Sequence, residues 1–162
     1  MSIDVQQFKQ IMSHWASGIA VITTQHEGNA QGFTANSLAS VSIDPLLVSM
    51  SVAKTLYVGQ LLQTSGMFAI NILRHDQAEW GKLFAGFYKE RTNRFEGIDV
   101  TYSQGMPILP NTVGWMLCRV YQTLDVGAST LILGEVIDGA IEDGTPPLLY
   151  WKRSWGRFVA EE

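Results

Sequence analysis

Cysteine is almost absent. Cys118 stands alone in 162 residues, which excludes an internal disulfide framework. With only three scattered histidines beside it, a Cys/His zinc site is excluded too, and no metal is expected. Charge is also scarce: 16% of residues are Asp, Glu, Lys or Arg, against roughly 25% in an ordinary domain. The 11 cations and 15 anions, net −4, form no basic stripe, so nucleic-acid binding has no footprint. No apolar run approaches a membrane span, and the polar start Met1–Gln10 lacks the apolar centre of a signal peptide. Gly-rich phosphate loops of the GxGxxG or GxxxxGKS/T kind are missing, so a nucleotide would not be held in the Rossmann manner. These absences describe a soluble, cytoplasmic protein with one domain over residues 1–162 and no membrane or nucleic-acid partner. So little charged surface suggests that a second copy covers part of it, as in a homodimer.

What is present is short, β-rich and tightly punctuated. Val5, Phe8, Ile11, Met12 and Trp15 recur at helical spacing and predict an opening amphipathic helix over Ile3–Ser17, ended near Gly18. Ile19–Thr24 is a β-branched strand, and His26–Asn29 a hairpin turn. Gln31–Ser37 and Ser40–Ile43 read as strand pieces, Asp44-Pro45 as a turn, and Leu46–Val52 as a buried strand. Thr55–Ser65 fits a helix closed by Gly66, Met67–Leu73 a strand, Gln77–Ala85 a short helix, and Arg91–Gln104 a loop. Val113–Asp125, Ser129–Glu142 and Leu148–Val159 are strand-rich segments parted by Gly, Asp and Pro turns. Many short strands with flanking helices predict a mainly β (α+β) barrel or sandwich, not alternating βαβ units.

Two polar clusters could carry binding. Gly32–Ser42 holds Thr34, Asn36, Ser37, Ser40 and Ser42, and alternation places Thr34, Asn36, Ser40 and Ser42 on one face. That pattern suits either a solvated sheet face or a polar cradle for a planar ligand or phosphate. Ser51-Val-Ala-Lys-Thr55 precedes a helix, where Lys54, hydroxyls and helix amides suit a phosphate; a plain Ser/Thr cap beside a solvated Lys fits equally. Trp15, Trp80 and Trp115 sit in apolar contexts and are expected in the core. Tyr150-Trp-Lys-Arg-Ser-Trp155 reads as a stacking platform, a subunit contact or an edge strand with exposed aromatics. His14, His26 and His75 are expected at the surface, and Cys118 is expected to be an inert buried thiol. No nucleophilic spacing or carboxylate pair stands out, so no catalytic side chain is assigned. If this is an enzyme, a cofactor performs the hard chemistry.

The segments, in order, resemble the flavin reductase family with its FMN-binding split-barrel fold. The resemblance runs through Phe8, Trp15-Ala-Ser-Gly-Ile-Ala-Val-Ile-Thr-Thr24, Gly32-Phe-Thr-Ala-Asn-Ser37 and Ser40-Val-Ser-Ile-Asp-Pro-Leu-Leu-Val48. It continues in Ser65-Gly-Met-Phe-Ala-Ile-Asn-Ile-Leu73, Phe84-Ala-Gly86, Arg94-Phe-Glu-Gly97, Gly134-Glu-Val136 and Pro147-Leu-Leu-Tyr-Trp151. It implies an antiparallel Greek-key split β-barrel and a homodimer with flavin in a groove at the subunit interface. The implied activity is reduction of FMN, with FAD possible, by NADH or NADPH, supplying a flavin-dependent monooxygenase or another acceptor. By the same resemblance Thr34, Ala35, Asn36 and Ser37 line the flavin ring, largely through backbone groups. Ser51, Val52, Lys54 and Thr55 reach the ribityl chain and phosphate, while Asn71, Phe84 and Trp155 pack near the flavin or the dimer seam. One departure stands out: the family's usual Gly-Asp-His-Thr is Gly127-Ala-Ser-Thr130 here, putting Ser129 where a histidine lies near the nicotinamide. A non-catalytic FMN electron carrier of the same fold is therefore the alternative. More distant alternatives are a split-barrel enzyme that oxidises an amine or binds haem, and a cofactor-free interaction module.

Overall fold

The computed structural model describes residues 2–142 and 144–160. Helix α1 (Val5–Met12) starts in a capping box: the Asp4 carboxylate accepts the Gln7 N–H at 2.7 Å, and the Gln7 side chain accepts the Asp4 N–H at 3.0 Å. It is shorter than the apolar periodicity predicts. After Met12 the chain tightens into turns, with the His14 and Trp15 N–H groups donating to Ile11 and Met12, and the Ser13 carbonyl accepts the N–H of distant Lys152. Trp15, expected in the core, is 74% exposed. Trp80 and Trp115 are half-buried against apolar clusters.

Strands β1 (Ser17–Gly18), β2 (Ala20–His26), β3 (Asn29–Ala35), β4 (Ala39–Ile43) and β5 (Leu46–Ala53) follow. Helix α2 (Tyr57–Ser65) leads to β6 (Met67–Ile72), and helix α3 (Ala78–Phe84) follows. Gly66 closes α2 in the left-handed region at φ +70°, its N–H donating to Leu62, as the Ser-Gly step predicts. The predicted loop Arg91–Gln104 contains a short strand, β7 (Thr101–Ser103), paired with β8 (Met106–Ile108). Long strands β9 (Gly114–Val126) and β10 (Ser129–Ile141) form a hairpin, and β11 (Leu148–Trp151) and β12 (Ser154–Arg157) another.

Seven strands form one antiparallel sheet in the order β3-β2-β6-β9-β10-β5-β4. Its edge strands, β3 and β4, are joined by Asn36, Ser37 and Leu38 alone. Laid flat, six strand spacings would separate those edges by about 29 Å. The connection from Ala35 to Ala39 spans at most about 14 Å. The sheet must therefore curl until its edges face each other. That is the split barrel, with β3 and β4 linked by chain and not by a ladder.

Ala20, Ile22, Phe33, Met50, Phe68, Ile70, Cys118 and Ile132 fill the inside, and Val58 and Leu62 of α2 join them. Ile19 and Val21 point the other way, into a second cluster with Leu83 and Phe84 of α3 and Leu148 of β11. A strand buried on both faces needs a run without exposed polar positions, which the Ala20-containing, otherwise β-branched stretch Ile19–Thr24 supplies.

Candidate functional site

The site follows from the barrel's closure. At the β3–β4 bend the Ser37 hydroxyl accepts the Ser51 N–H at 3.0 Å, stapling the bend onto β5. Asn36, Ser37, Ser51, Lys54 and Thr55 are all exposed there. Lys54 and Thr55 occupy a turn in which the Leu56 N–H donates to Ala53. The Lys54 N–H donates to Ala128, pinning that turn to the tip of the β9–β10 hairpin. Ser129, half-buried, lies directly opposite Ala53 in the β5–β10 register, and Leu131 lies opposite Ser51. One end of the barrel thus collects the bend, the end of β5 and the start of β10.

Two sheet faces meet at this end. Ser51, Ala53 and Ser129 share the outer face by register, whereas Val52, Met50 and Thr130 point inward. A cavity of about 290 Å³ opens on the inner side, lined by Val52, Lys54, Leu56, Gln60, Gln63, Asp125 and Thr130 among others. The Lys54 Nζ lies 3.2 Å from Asp125 Oδ2, and Asp125 Oδ1 accepts the Thr130 hydroxyl at 2.9 Å. The Thr130 hydrogen bond, then that of Lys54, holds the Asp125 carboxyl below the usual carboxylate range. Asp125, Gln60 and Gln63 were invisible to motif reasoning, and Thr130 was quoted only as part of a motif. The β5–β10 register and the hairpin turn bring Asp125 and Thr130 to Lys54, and α2, which starts three residues on, brings Gln60 and Gln63.

The side chains of the other expected residues are engaged within the protein, although Thr34 and Phe84 line a neighbouring cavity with Leu56 and Tyr57. Asn36, Ser40 and Ser42 do not continue Thr34's face, because the bend at 36–38 interrupts the alternation and a bulge divides Ser40 from Ser42. Thr34 faces α3 and donates its hydroxyl to Gly81. Ala35 is buried in the inner core opposite Ala20. Phe84 is buried in the outer cluster, edge-on to Phe95 at 5.2 Å. Trp155 packs over α3 within its own chain, where a Cβ on Gly81 would come within 2.7 Å of the indole, and it meets Tyr150 edge-on at 5.2 Å. Asn71 is wholly enclosed: it donates to the Val21 carbonyl and the Thr23 hydroxyl and accepts the Leu109 N–H. Its amide binds the sheet to the following loop. Arg94, quoted above only as part of a motif, donates to the carbonyls of Gly32 and Phe84 and ties the loop after α3 to β3.

The donor set at the barrel end suits a flavin's polar half: hydroxyls, an amide and one ammonium beside a cavity. That cavity lies at the lower edge of the roughly 300–1,000 Å³ typical of small-molecule sites. Among the described residues, no group of three or more His, Cys, Asp or Glu could hold a metal ion, and no helix is long and apolar enough to cross a membrane.

A family model described as a flavin reductase like domain matches residues 12–158. The chain is 31% identical to FMN reductase (NADH) SmoA of Agrobacterium fabrum over 154 residues, 94% of this chain and 86% of that protein. It is 28% identical over 157 residues to the reductase component of a 4-nitrophenol 4-monooxygenase/4-nitrocatechol 2-monooxygenase from Rhodococcus opacus, covering 97% and 83%. The solved structure of flavin reductase PheA2 in its native state superposes with a TM-score of 0.90 at 30% identity, over 98% of this chain and 100% of that one. The chain belongs to the flavin reductase family and is an oxidoreductase of the flavin-reducing class.

Proposed function

We propose that this protein is a cytoplasmic homodimer in which NADH or NADPH reduces FMN, or FAD, at the barrel end, and that reduced flavin passes to a monooxygenase. One observation carries the placement. The Ser37–Ser51 staple holds the Asn36–Ser37 bend beside the Lys54–Thr55 turn, with Ser129 next to it. The names of the relatives support NADH as donor and a monooxygenase as recipient.

When bound, the flavin supplies the hydride acceptor and the nicotinamide the donor. The chain's own part is positional. Asn36, Ser37 and the adjoining backbone orient the ring. Ser51, Val52, Lys54 and Thr55 hold the ribityl phosphate, and the Ser129 position faces the incoming nicotinamide. No side chain has to move a proton for hydride transfer, so the protein's contribution is to hold two planar groups in contact.

A second copy is supported by apolar surface. Helix α1 buries no residue, and Val5 is 70% exposed and Ile43 88% exposed. Phe8, Ile11 and Leu46, with Leu124 and Val126 on the hairpin next to the site, are exposed too. Light scattering combined with flavin titration tests the assembly: the reading expects a dimer holding one flavin per chain. A monomer that binds flavin one-to-one would contradict it.

A further inference from the structure

At the inner side of the barrel end, the cation placed for the flavin phosphate is already engaged. Lys54 meets Asp125 at 3.2 Å, with the two side chains 41% and 71% exposed. An ion pair this open adds little to stability. Its effect is on what else the ammonium can bind. Thr130 fixes the other carboxylate oxygen at 2.9 Å, and Thr130 sits opposite Asp125 in the hairpin register, so the carboxylate is held toward Lys54 by a rigid neighbour. The Lys54 backbone is pinned to the same hairpin through Ala128.

We propose that Asp125 is a specificity-determining residue that competes with the flavin phosphate for Lys54 and so weakens retention of phosphorylated flavin. The inference rests on the reading that Lys54 lies at the phosphate end. A phosphomonoester carries between one and two negative charges near neutral pH. To reach Lys54 it must displace the carboxylate or lie beside it against like-charge repulsion. Riboflavin has no phosphate and meets no such opposition. The result is a site that lets flavin exchange, as suits a protein whose flavin is a product to be handed on.

The experiment titrates FMN and riboflavin, by quenching of flavin fluorescence, against the full-length protein and Asp125→Asn, Lys54→Met, Thr130→Val and the Asp125→Asn/Lys54→Met double variant. Asp125→Asn should tighten FMN on the order of tenfold, the scale of one charge-assisted contact, and leave riboflavin unchanged. Thr130→Val should give a smaller gain in the same direction. The gain should vanish in the Lys54→Met background and shrink as salt is raised. If Lys54→Met lowers the FMN preference while Asp125→Asn leaves it unaltered, Asp125 has no such role and the phosphate reading of Lys54 stands. If Asp125→Asn tightens FMN equally without Lys54, the competition proposed here is wrong. If neither variant changes the ratio of FMN to riboflavin affinity, Lys54 is not at the phosphate and both readings fall.

Discussion

The Thr34 hydroxyl donates to the Gly81 carbonyl at 2.6 Å, tying the edge strand β3 to helix α3. At the same residue, Trp155 packs so closely that a Cβ on Gly81 would come within 2.7 Å of the indole. Gly81 of α3 is thereby held by both β3 and Trp155 of β12. Residues that the family resemblance groups around one flavin divide into two structural sets. Thr34, Phe84 and Trp155 hold α3, while Asn36, Ser37, Ser51, Lys54 and Ser129 gather at the barrel end.

Thr34→Val keeps the shape and removes one partly buried hydrogen bond. It should lower stability by about 1 kcal/mol, a drop in Tm of roughly 2–4 °C for a domain of this size. The Gly81 carbonyl retains the Ala85 N–H as a donor, which limits the loss. Flavin affinity should stay the same, because only the Thr34 backbone could face the ring. Thermal unfolding beside a flavin titration checks this; weaker flavin binding with unchanged Tm would place the Thr34 hydroxyl in the site.

Asn71→Ala leaves the Leu109 N–H and the Val21 carbonyl without their buried side-chain partner and opens a small cavity. The cost should be about 2–4 kcal/mol. Urea denaturation measures it. Activity per folded molecule should be retained, whereas a loss of activity at full stability would make Asn71 part of the flavin site.

Much of this fold was legible because local chemistry agreed with it. The β-branched run Ile19–Thr24, the Ser65-Gly66 helix end and the Asp44-Pro45 turn each specify their own segment. Trp15 misled for a physical reason: helical spacing shows that an apolar face exists, not which surface covers it. Thr34 and Asn71 show a related limit. A polar residue next to a motif reads as ligand-binding until its internal partner, here Gly81 or Leu109, is brought near by folding. The Lys54–Asp125–Thr130 group was illegible because its first two members are distant in sequence and meet only through the β5–β10 register together with the β9–β10 hairpin.

Cys118 lies in the inner core, and burial pushes its thiol from an ordinary value of 9.0 up to about 12. The folded protein should therefore resist thiol alkylation that proceeds readily once it is unfolded. The linkage has a definite sign. Above pH 9 the unfolded thiol loses its proton while the folded one keeps it, so this group lowers stability as pH rises from about 9 toward about 12. Alkylation followed by mass spectrometry tests the first point, and denaturant midpoints across that range, compared with Cys118→Ala, test the second.

Ser129→His restores at this position an imidazole that can stack on a nicotinamide, which a serine hydroxyl cannot do. It should raise kcat/KM for the reduced nicotinamide roughly tenfold, about 1.4 kcal/mol of transition-state binding, mainly through a lower KM. Flavin affinity should not change. Kinetics with NADH and NADPH on both forms decide it. Unchanged values with both donors would show that the position takes no part in reduction.

The central claim is that flavin reduction takes place at the barrel end beside the Ser37–Ser51 staple. It is tested most directly by anaerobic mixing of protein, flavin and excess NADH while the visible flavin band is followed, with Asn36→Trp as the blocked form. Asn36 is exposed at the bend, so the indole should fill the site without disturbing the core. The account predicts bleaching in proportion to protein concentration and its near-complete loss in Asn36→Trp at unchanged Tm. Bleaching no faster than in flavin and NADH alone, or equally fast in the folded Asn36→Trp variant, would contradict it.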